Sequence, residues 1–193
     1  MPKVPAGDSN ASFKKNTAVR STCRPQDPSA GQTFLLSFAS FSAKVAVRLM
    51  VRSFPLRFAI VASEFNRTYT DALLASAQSA LRDHEQKVVR VPGAYEIPLQ
   101  VQRLARTGRY AAIIALGVIW QGRTLHAQEI LRAVTDALMR VSLDTDVPVI
   151  HEVLAVRTEA EARARCMGRE LNRGRQAAEA AIKIAREHPP GRK

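Results

Sequence analysis

The segment from Gly117 to His126 carries the residue types of a phosphate site beside a proton-transfer group. Gly122 allows the backbone to turn closely, and the N–H groups of Arg123 and Thr124 are expected to open a helix and seat an anion. Because a positive charge is disfavoured at a helix N-terminus, the imidazole of His126 is expected to be neutral and able to accept a proton. The alternative is a solvent-facing surface histidine. The pattern favours phosphate chemistry assisted by a general base.

Two further loops offer groups that suit a flat, polar ring. Phe65 and Asn66 follow the first apolar run; they either pack on the core and cap the next helix, or provide a stacking face and an amide. The string Val-Pro-Gly-Ala-Tyr-Glu-Ile-Pro at 91–98 supplies Ala94, Tyr95 and Glu96. One explanation of Glu96 is that its carboxylate lies in the first turn of the next helix, where the helix dipole and free N–H groups stabilise an anion. The other is that this carboxylate and the open backbone donors of its loop bind a polyol or a uracil-like ring edge. These loops suit a ring or polyol rather than a second phosphate.

The remaining charged and metal-binding residue types narrow the chemistry further. A bound phosphate needs a fixed cation, because backbone donors alone leave much of its charge uncompensated. Arg165 and Arg173, on the last two predicted helices, are the candidates for that cation. No metal site is expected, since the other histidines share no ligand spacing with His126 and the cysteines form no CxxC pair. These residues are His84, His151, His188, Cys23 and Cys166.

The elements that must position these groups alternate along the chain from residue 57 onward. Apolar runs and helical periodicity predict strands over 58–62, 88–91, 111–119 and 147–155, and helices over 69–84, 97–106, 124–144, 158–165 and 172–186. Four βα units with short connections imply parallel strands joined by helices on both faces. The fold class is therefore α/β, a three-layer αβα sandwich with a four-stranded parallel sheet. In such a sheet, ligands bind at the carboxyl ends of the strands.

The N-terminal part of the chain has a different composition. Residues 1–57 hold nine Lys or Arg against two acidic residues, whereas the following 136 residues hold 20 basic and 15 acidic residues in mixed order. Residues 1–56 are thus expected to be an unstructured basic extension, 57–188 the catalytic domain and 189–193 a short tail. Apolar stretches are broken by charge before reaching the length of a membrane helix. Neither a recognition helix nor an aromatic RNA-binding run accompanies the charge, which argues against nucleic-acid binding.

The origin of the extension has two explanations. It is basic, rich in serine and poor in acids, as an organelle transit segment is. A gene start placed too early would give the same picture, because Met50 stands just before the first convincing strand. The second explanation is favoured, and with it a cytoplasmic location. The first would place the protein in an organelle.

Taken together, the motifs resemble the lumazine synthase family, whose members share a flavodoxin-like fold. The matching segments occur in the family's order and lie within residues 57–187: Phe65-Asn66, the string at 91–98, Ala115-Leu116-Gly117, Gly122-x-Thr124-x-His126, Val147-Pro148-Val149-Ile150 and Asn172-x-Gly174. The resemblance implies riboflavin biosynthesis: 5-amino-6-ribitylaminouracil condenses with 3,4-dihydroxy-2-butanone 4-phosphate to give 6,7-dimethyl-8-ribityllumazine, phosphate and water. It implies no cofactor and no metal.

The resemblance also implies a role for each matching residue. His126 would move protons during imine formation and phosphate loss. The phosphate would be held by Gly122, Arg123, Thr124 and Arg165. The uracil substrate would be bound by Phe65, Asn66, Ala94, Tyr95, Glu96, Val118, Ile119, Trp120, His151 and Arg173.

The resemblance further implies a homo-oligomer whose active sites lie between neighbouring subunits. Arg165, Arg173 and His151 would then reach across an interface. The turn at 167–171 lacks the glycine directly before Asn172 that many shell-forming relatives have, so a pentamer or decamer is expected. The chain departs from the family at four positions: Gln121 stands for a common Arg, Arg173 for a common Lys, His151 for an aromatic, and bulky Trp120 for an aliphatic.

Two other functions are compatible with parts of this pattern. A non-catalytic flavin- or lumazine-binding protein on the same fold would use Phe65 and Glu96 but would not need the phosphate seat. A nucleic-acid or surface-binding protein would use the basic extension, and its affinity would fall steeply with salt. The sequence favours the enzyme, with two small-molecule substrates and neither a nucleic-acid nor a membrane partner.

Overall fold

A computed structural model describes residues 55–187 of the 193-residue chain. The extension expected over 1–56 lies outside the described residues except for Pro55 and Leu56, and the tail over 189–193 lies wholly outside them. The strands are β1 (Arg57–Ser63), β2 (Glu85–Val91), β3 (Ala112–Trp120) and β4 (Val149–Val156). The helices are α1 (Arg67–Ala80), α2 (Ile97–Ala105), α3 (His126–Thr145), α4 (Glu159–Met167) and α5 (Arg173–Glu187), and a short 3-10 turn spans Ala94–Glu96.

All four strands within residues 55–187 pair in parallel, in the order β2-β1-β3-β4. The central strands β1 and β3 are buried along most of their length, as expected for apolar strands covered on both faces. The fold is therefore the predicted flavodoxin-like α/β sandwich. The strand order reverses direction between β1 and β3, and ligands of open parallel sheets bind at such a crevice.

Alternating side chains of the sheet divide the core into two layers. Phe58 and Ile60 of β1 face α1, α4 and α5, while Ala59 and Val61 face α2 and α3. This alternation is the two-residue period of a strand, with each face covered by its own helices. The helices thereby fix the loops at the carboxyl ends of β1 and β3 on a rigid support.

The contact between α1 and α5 is unusually close at Gly174. A Cβ atom at this position would lie far inside van der Waals contact of the Leu73 carbonyl oxygen. Asn172, which precedes α5, is buried and binds both neighbouring helices. Its Nδ2 donates to Ser76 Oγ (2.9 Å) and to the Cys166 carbonyl (3.2 Å), and its Oδ1 accepts the Arg175 N–H (3.0 Å). The Asn-x-Gly motif therefore has a packing role.

The predicted strands and helices within residues 55–187 are all present, and their ends differ by a few residues. The helix predicted over 69–84 ends at Ala80, because the His84 N–H turns back to the Leu81 carbonyl (2.8 Å) and the Glu85 N–H pairs with Leu56 (2.9 Å) to start β2. None of the helices described is long and apolar enough to cross a membrane.

Candidate active site

A pocket of about 410 Å³ lies at the carboxyl ends of β1 and β3, where the strand order reverses. Eleven of the fifteen candidate residues line it. They are Phe65, Asn66, Ala94, Tyr95, Glu96, Val118, Ile119, Trp120, Gly122, Thr124 and His126. The sheet therefore brings the three predicted loops to one place.

Phe65 and Asn66 are held in the pocket by backbone and side-chain bonds. The Phe65 N–H donates to the Pro92 carbonyl (3.1 Å), and the ring is 71% exposed, so it does not pack on the core. Asn66 has a left-handed backbone (φ 56°) and starts α1 without a side-chain capping bond. Its Nδ2 instead donates to the Val118 carbonyl (2.7 Å), two residues beyond the last β1–β3 pair, Ala62 with Leu116. Phe65 is thus available for stacking, and Asn66 occupies the N-cap position of α1 as expected but does not cap the helix with its side chain.

Asn66→Ala is expected to lower the free energy of unfolding by about 2–3 kcal/mol. Alanine loses the bond to Val118 and is strained in the left-handed conformation, which costs about 1 kcal/mol or more by itself. Asn66→Gly loses the bond but tolerates the backbone, so its loss is expected to be about 1 kcal/mol smaller. Urea unfolding of both variants measures the difference. Equal losses would contradict the backbone account.

The loop after β2 fixes the orientation of the Glu96 carboxylate through a hydrogen bond within the loop. In the turn Ala94–Glu96, the Gly93 N–H donates to Glu96 Oε2 (2.9 Å), and a Cβ at Gly93 would meet that same oxygen at 2.9 Å. Glu96 Oε1 makes no hydrogen bond to any residue of 55–187. Tyr95 is 64% exposed beside it. The loop therefore presents a carboxylate oxygen and an aromatic ring to the pocket opening, groups that suit the donors of a polar ring or polyol.

The loop of residues 122–125, called the phosphate loop because it is predicted to hold the phosphate, differs from its predicted geometry where α3 begins. Helix α3 begins at His126, two residues after the predicted start at about Thr124, and its N-cap Leu125 supplies no side-chain bond. The first N–H groups of α3 therefore lack a capping side chain and remain available to an anion. At Gly122 the backbone is not left-handed, and a Cβ would meet nothing within 4 Å among the described residues. The turn itself therefore does not require glycine, whereas a ligand close to Gly122 would.

The floor and one wall of the pocket come from β3. Val118 is buried, whereas Ile119 and Trp120 are partly exposed where the strand leaves the sheet. The Trp120 ring meets the Tyr69 ring edge-on, with centroids 5.7 Å apart. Such edge-to-face pairs fix ring orientation. Trp120 is therefore held against α1 as a rigid wall beside Phe65 and Asn66.

Four candidate residues do not line this pocket: Arg123, His151, Arg165 and Arg173. Arg165 Nε pairs with Glu161 (3.2 Å). Arg173 Nε pairs with the buried Glu152 (3.1 Å), whose pKa is raised by burial and lowered in part by that guanidinium. His151 Nε2 lies 3.0 Å from the Thr135 hydroxyl on α3. These three side chains thus have partners in their own chain and do not line the pocket that it forms.

Stability should depend on pH through His151. Burial lowers the pKa of His151 from its ordinary value of 6.5. The unfolded chain therefore binds this proton first, so the free energy of unfolding falls as the pH drops below 6.5 and levels off below the folded-state pKa. We expect His151→Phe to be less sensitive than wild type between about pH 7 and pH 5. His84 and Glu152 are present in both wild type and His151→Phe and contribute the same pH dependence to each. Parallel curves of unfolding free energy against pH for the two proteins would therefore contradict this assignment.

Metal and thiol chemistry find no support in the described part of the chain. No group of three or more His, Cys, Asp or Glu side chains within residues 55–187 could hold a metal ion. Burial raises the pKa of the Cys166 thiol to about 11, so the thiol remains protonated near neutral pH and is a poor nucleophile. By contrast, the His126 imidazole lines the pocket and is of a type that transfers protons.

A larger and more open groove of about 770 Å³ lies between α1 and the α4–α5 turn. It contains none of the candidate residues; its charged side chains are Arg82, Arg169, Arg175 and Glu179. Although this groove is larger, the smaller pocket is better enclosed and combines an aromatic face, a carboxylate and an imidazole. We therefore assign the chemistry to the smaller pocket.

Three pocket residues were missed by sequence reasoning: Gly93, Ala127 and Ile130. Gly93 adjoins the predicted loop residues and could have been included, because its N–H orients Glu96. Ile130 lies four residues after His126 on the same helix, so helical spacing was the available signal for it, whereas that spacing does not indicate Ala127. Both residues supply apolar surface around the imidazole.

The fold and pocket define a flavodoxin-like α/β protein that can bind a polar ring beside an anion. The family model described as 6,7-dimethyl-8-ribityllumazine synthase matches residues 55–188. The protein of that name from Salinibacter ruber is 43% identical over 134 residues, which is 67% of this chain and 86% of the relative. Those from Xanthomonas euvesicatoria and Stenotrophomonas maltophilia are each 41% identical over 133 residues, 66% of this chain and 86% of each relative.

This chain belongs to the 6,7-dimethyl-8-ribityllumazine synthase family, transferases of riboflavin biosynthesis. The predicted resemblance is therefore confirmed. A non-catalytic pigment-binding protein is not favoured, because the relatives named above are all synthases.

Proposed function

We propose that this protein condenses 5-amino-6-ribitylaminouracil with 3,4-dihydroxy-2-butanone 4-phosphate, giving 6,7-dimethyl-8-ribityllumazine, phosphate and water. The observation that carries the proposal is the single pocket in which an exposed aromatic ring, an aimed carboxylate, an uncapped helix start and an imidazole meet. Membership of the synthase family supports the same reaction.

The ring-binding side of the pocket would hold the uracil substrate. Phe65 would stack on the pyrimidine, because its ring is exposed and its backbone is anchored to Pro92. The free Oε1 of Glu96 would accept hydrogen bonds from ribityl hydroxyls or ring N–H groups. Binding both substrates in one pocket would convert their encounter into an intramolecular step.

The opposite side of the pocket would bind the phosphate and move protons. The Thr124 hydroxyl and the first N–H groups of α3 would hold the phosphate and stabilise its charge as the C–O bond breaks. His126 would take a proton from the attacking amine and return protons as water leaves during imine formation. The same imidazole would take the carbon-bound proton whose removal lets phosphate depart. Proton transfer and anion stabilisation thus act on one substrate from neighbouring residues.

We further propose a pentamer or decamer in which Arg165, Arg173 and His151 complete the pocket of a neighbouring protomer. Supporting this, none of the three lines the pocket of its own chain. In addition, α3 and the residue before it expose large apolar side chains, namely Leu125, Met139 and Leu143. Exposed apolar patches of this kind are typical of subunit contacts. A particle near a megadalton in sedimentation would contradict the assembly size.

Mixing two inactive variants should restore activity if the sites are shared. His126→Ala and Arg165→Met protomers are each expected to be strongly impaired. In randomly mixed rings about a quarter of the sites would pair an intact His126 with an intact Arg165 from the next protomer, so about a quarter of wild-type turnover should return. Mixed protomers that remain as inactive as the single variants would place both residues in the same subunit's site.

Turnover by the purified protein tests the reaction itself. Incubation with both substrates should produce the lumazine absorbance, and omission of either substrate should abolish it. A chain that binds lumazine but forms none from the two substrates would refute the proposed function.

A further inference from the structure

The residue before the phosphate loop binds an arginine from the neighbouring strand end. Gln121 Oε1 accepts a hydrogen bond from Arg157 Nε (2.7 Å), and the Gln121 N–H donates to the Val156 carbonyl (2.8 Å). Because Trp120 pairs with Val156 at the end of the β3–β4 ladder, Gln121 and Arg157 follow two adjacent strand ends. Neither residue lines the pocket itself, but Gln121 directly precedes the lining residue Gly122, so the contact holds a guanidinium one residue outside the pocket wall.

The ion pairs of this region leave Arg157 without a carboxylate. Arg165 pairs with Glu161 (3.2 Å) and Arg173 with Glu152 (3.1 Å). Glu161 also lies near Arg157, but its Oε2 accepts the Arg157 backbone N–H (3.1 Å) while Oε1 binds Arg165. Within residues 55–187, the Arg157 guanidinium has only the neutral Gln121 amide as a partner. Within that part of the chain, no carboxylate pairs directly with it.

The position and charge of Arg157 fit the need of the phosphate loop. A phosphate held only by backbone N–H groups and a hydroxyl keeps most of its negative charge, and a guanidinium provides up to five donors. Gln121 uses only the Nε donor of Arg157, so the paired Nη groups remain for a ligand. Arg157 and Arg123 then give the loop two cations with no carboxylate paired to either side chain in the described part of the chain.

We infer that Arg157 binds the phosphate of the four-carbon substrate from within the same chain, and that Gln121 is the positioning residue that holds it. This inference rests on the proposed function of the pocket. A neutral amide is suited to the task, because it fixes the guanidinium without cancelling its charge. A carboxylate at position 121 would fix it equally well but neutralise it.

Separate Michaelis constants for the two substrates test the inference. In Arg157→Met, the KM for the butanone phosphate should rise about tenfold, because one exposed charge-assisted contact is lost. The KM for the uracil substrate should change less than about twofold, since Arg157 does not touch the ring. Arg157→Lys should fall between wild type and Arg157→Met, because it keeps the charge but loses the planar fork.

Gln121→Glu provides a second variant with the guanidinium still in place. It should also raise the KM for the butanone phosphate and leave that for the uracil substrate unchanged.

Arg109→Met is the matched control, because it removes one exposed arginine at the amino end of β3, opposite the pocket. It should leave both constants within about twofold of wild type. A merely structural role for Arg157 would instead alter the KM for both substrates.

Binding of inorganic phosphate, measured by calorimetry, separates this inference from the proposed function. Phosphate should bind wild type about tenfold more tightly than Arg157→Met, whether or not the protein turns over. Unchanged phosphate affinity and an unchanged KM for the butanone phosphate in Arg157→Met would overturn the inference while leaving the reaction intact. Absence of turnover with intact, Arg157-dependent phosphate binding would overturn the reaction alone.

Discussion

Replacement of His126 by alanine is expected to lower kcat by ~10²-fold or more while the protein still binds its ring substrate, because acid–base help is lost but the stacking face remains. His126 lies at the first position of α3, in the pocket that also holds Thr124. No other histidine lines that pocket, among those of residues 55–187. The expected loss is therefore in the chemical step. Steady-state kinetics with both substrates, together with fluorescence titration of lumazine, separate kcat from binding.

Two further variants sharpen this result. His126→Gln keeps a polar side chain but cannot carry a proton, so it should be nearly as slow as His126→Ala. His84→Gln is the control, because His84 lies at the amino end of the sheet, where its Nδ1 accepts the Leu56 N–H (3.3 Å). Its kcat should stay within about twofold of wild type. Wild-type kcat in His126→Ala would mean that another group transfers the protons.

Gly174→Ala is expected to destabilise the protein by about 1–3 kcal/mol or more, and Gly174→Val by more still. The added Cβ would collide with the Leu73 backbone carbonyl, so α1 and α5 would have to separate. Helix propensity alone predicts the opposite effect, because alanine is a better helix former than glycine by about 1 kcal/mol. Urea unfolding of the variants at equal protein concentration measures the effect.

Gly122→Ala is the matched control for stability. The same change there meets nothing within 4 Å among the described residues, and the backbone is not left-handed. Its free energy of unfolding should stay within about 0.5 kcal/mol of wild type. A Gly174→Ala chain as stable as wild type would show that the two helices are not in close contact.

The fold was predictable because its strongest signals are local. The run from Ala112 to Ile119 is apolar without interruption, which indicates a strand covered on both faces, and the structure buries most of it. The site loops were predictable for a general reason. Parallel strands end at one edge of the sheet, so the residues that follow β1, β2 and β3 must lie near one another.

The partners of individual side chains were not predictable, because they depend on contacts between distant elements. Nothing in the local sequence shows that Glu152 is buried beside Arg173, or that Gln121 holds Arg157 from 36 residues away. The start of α3 lies two residues after its predicted position. Thr124 is a good capping residue type, yet the helix begins after Leu125 and leaves the Thr124 hydroxyl free of a capping bond.

The structure supplies a reason for the Asn-x-Gly motif. From the sequence, Asn172 and Gly174 match the family's pattern beside the candidate Arg173, and neither is assigned a role of its own. The contacts of Asn172 with Ser76 and Cys166, and the approach of Gly174 to Leu73, explain both residues by packing. Such packing requirements arise between helices and cannot be deduced from the spacing of residues along one segment.

The ratio of phosphate released to lumazine formed tests the central claim most directly. Both products should appear together from the two substrates, with one phosphate for each lumazine, because the proposed reaction breaks one phosphate ester bond per ring formed. Lumazine binding with no release of phosphate, or phosphate release with no lumazine, would contradict a site that joins ring closure to phosphate departure.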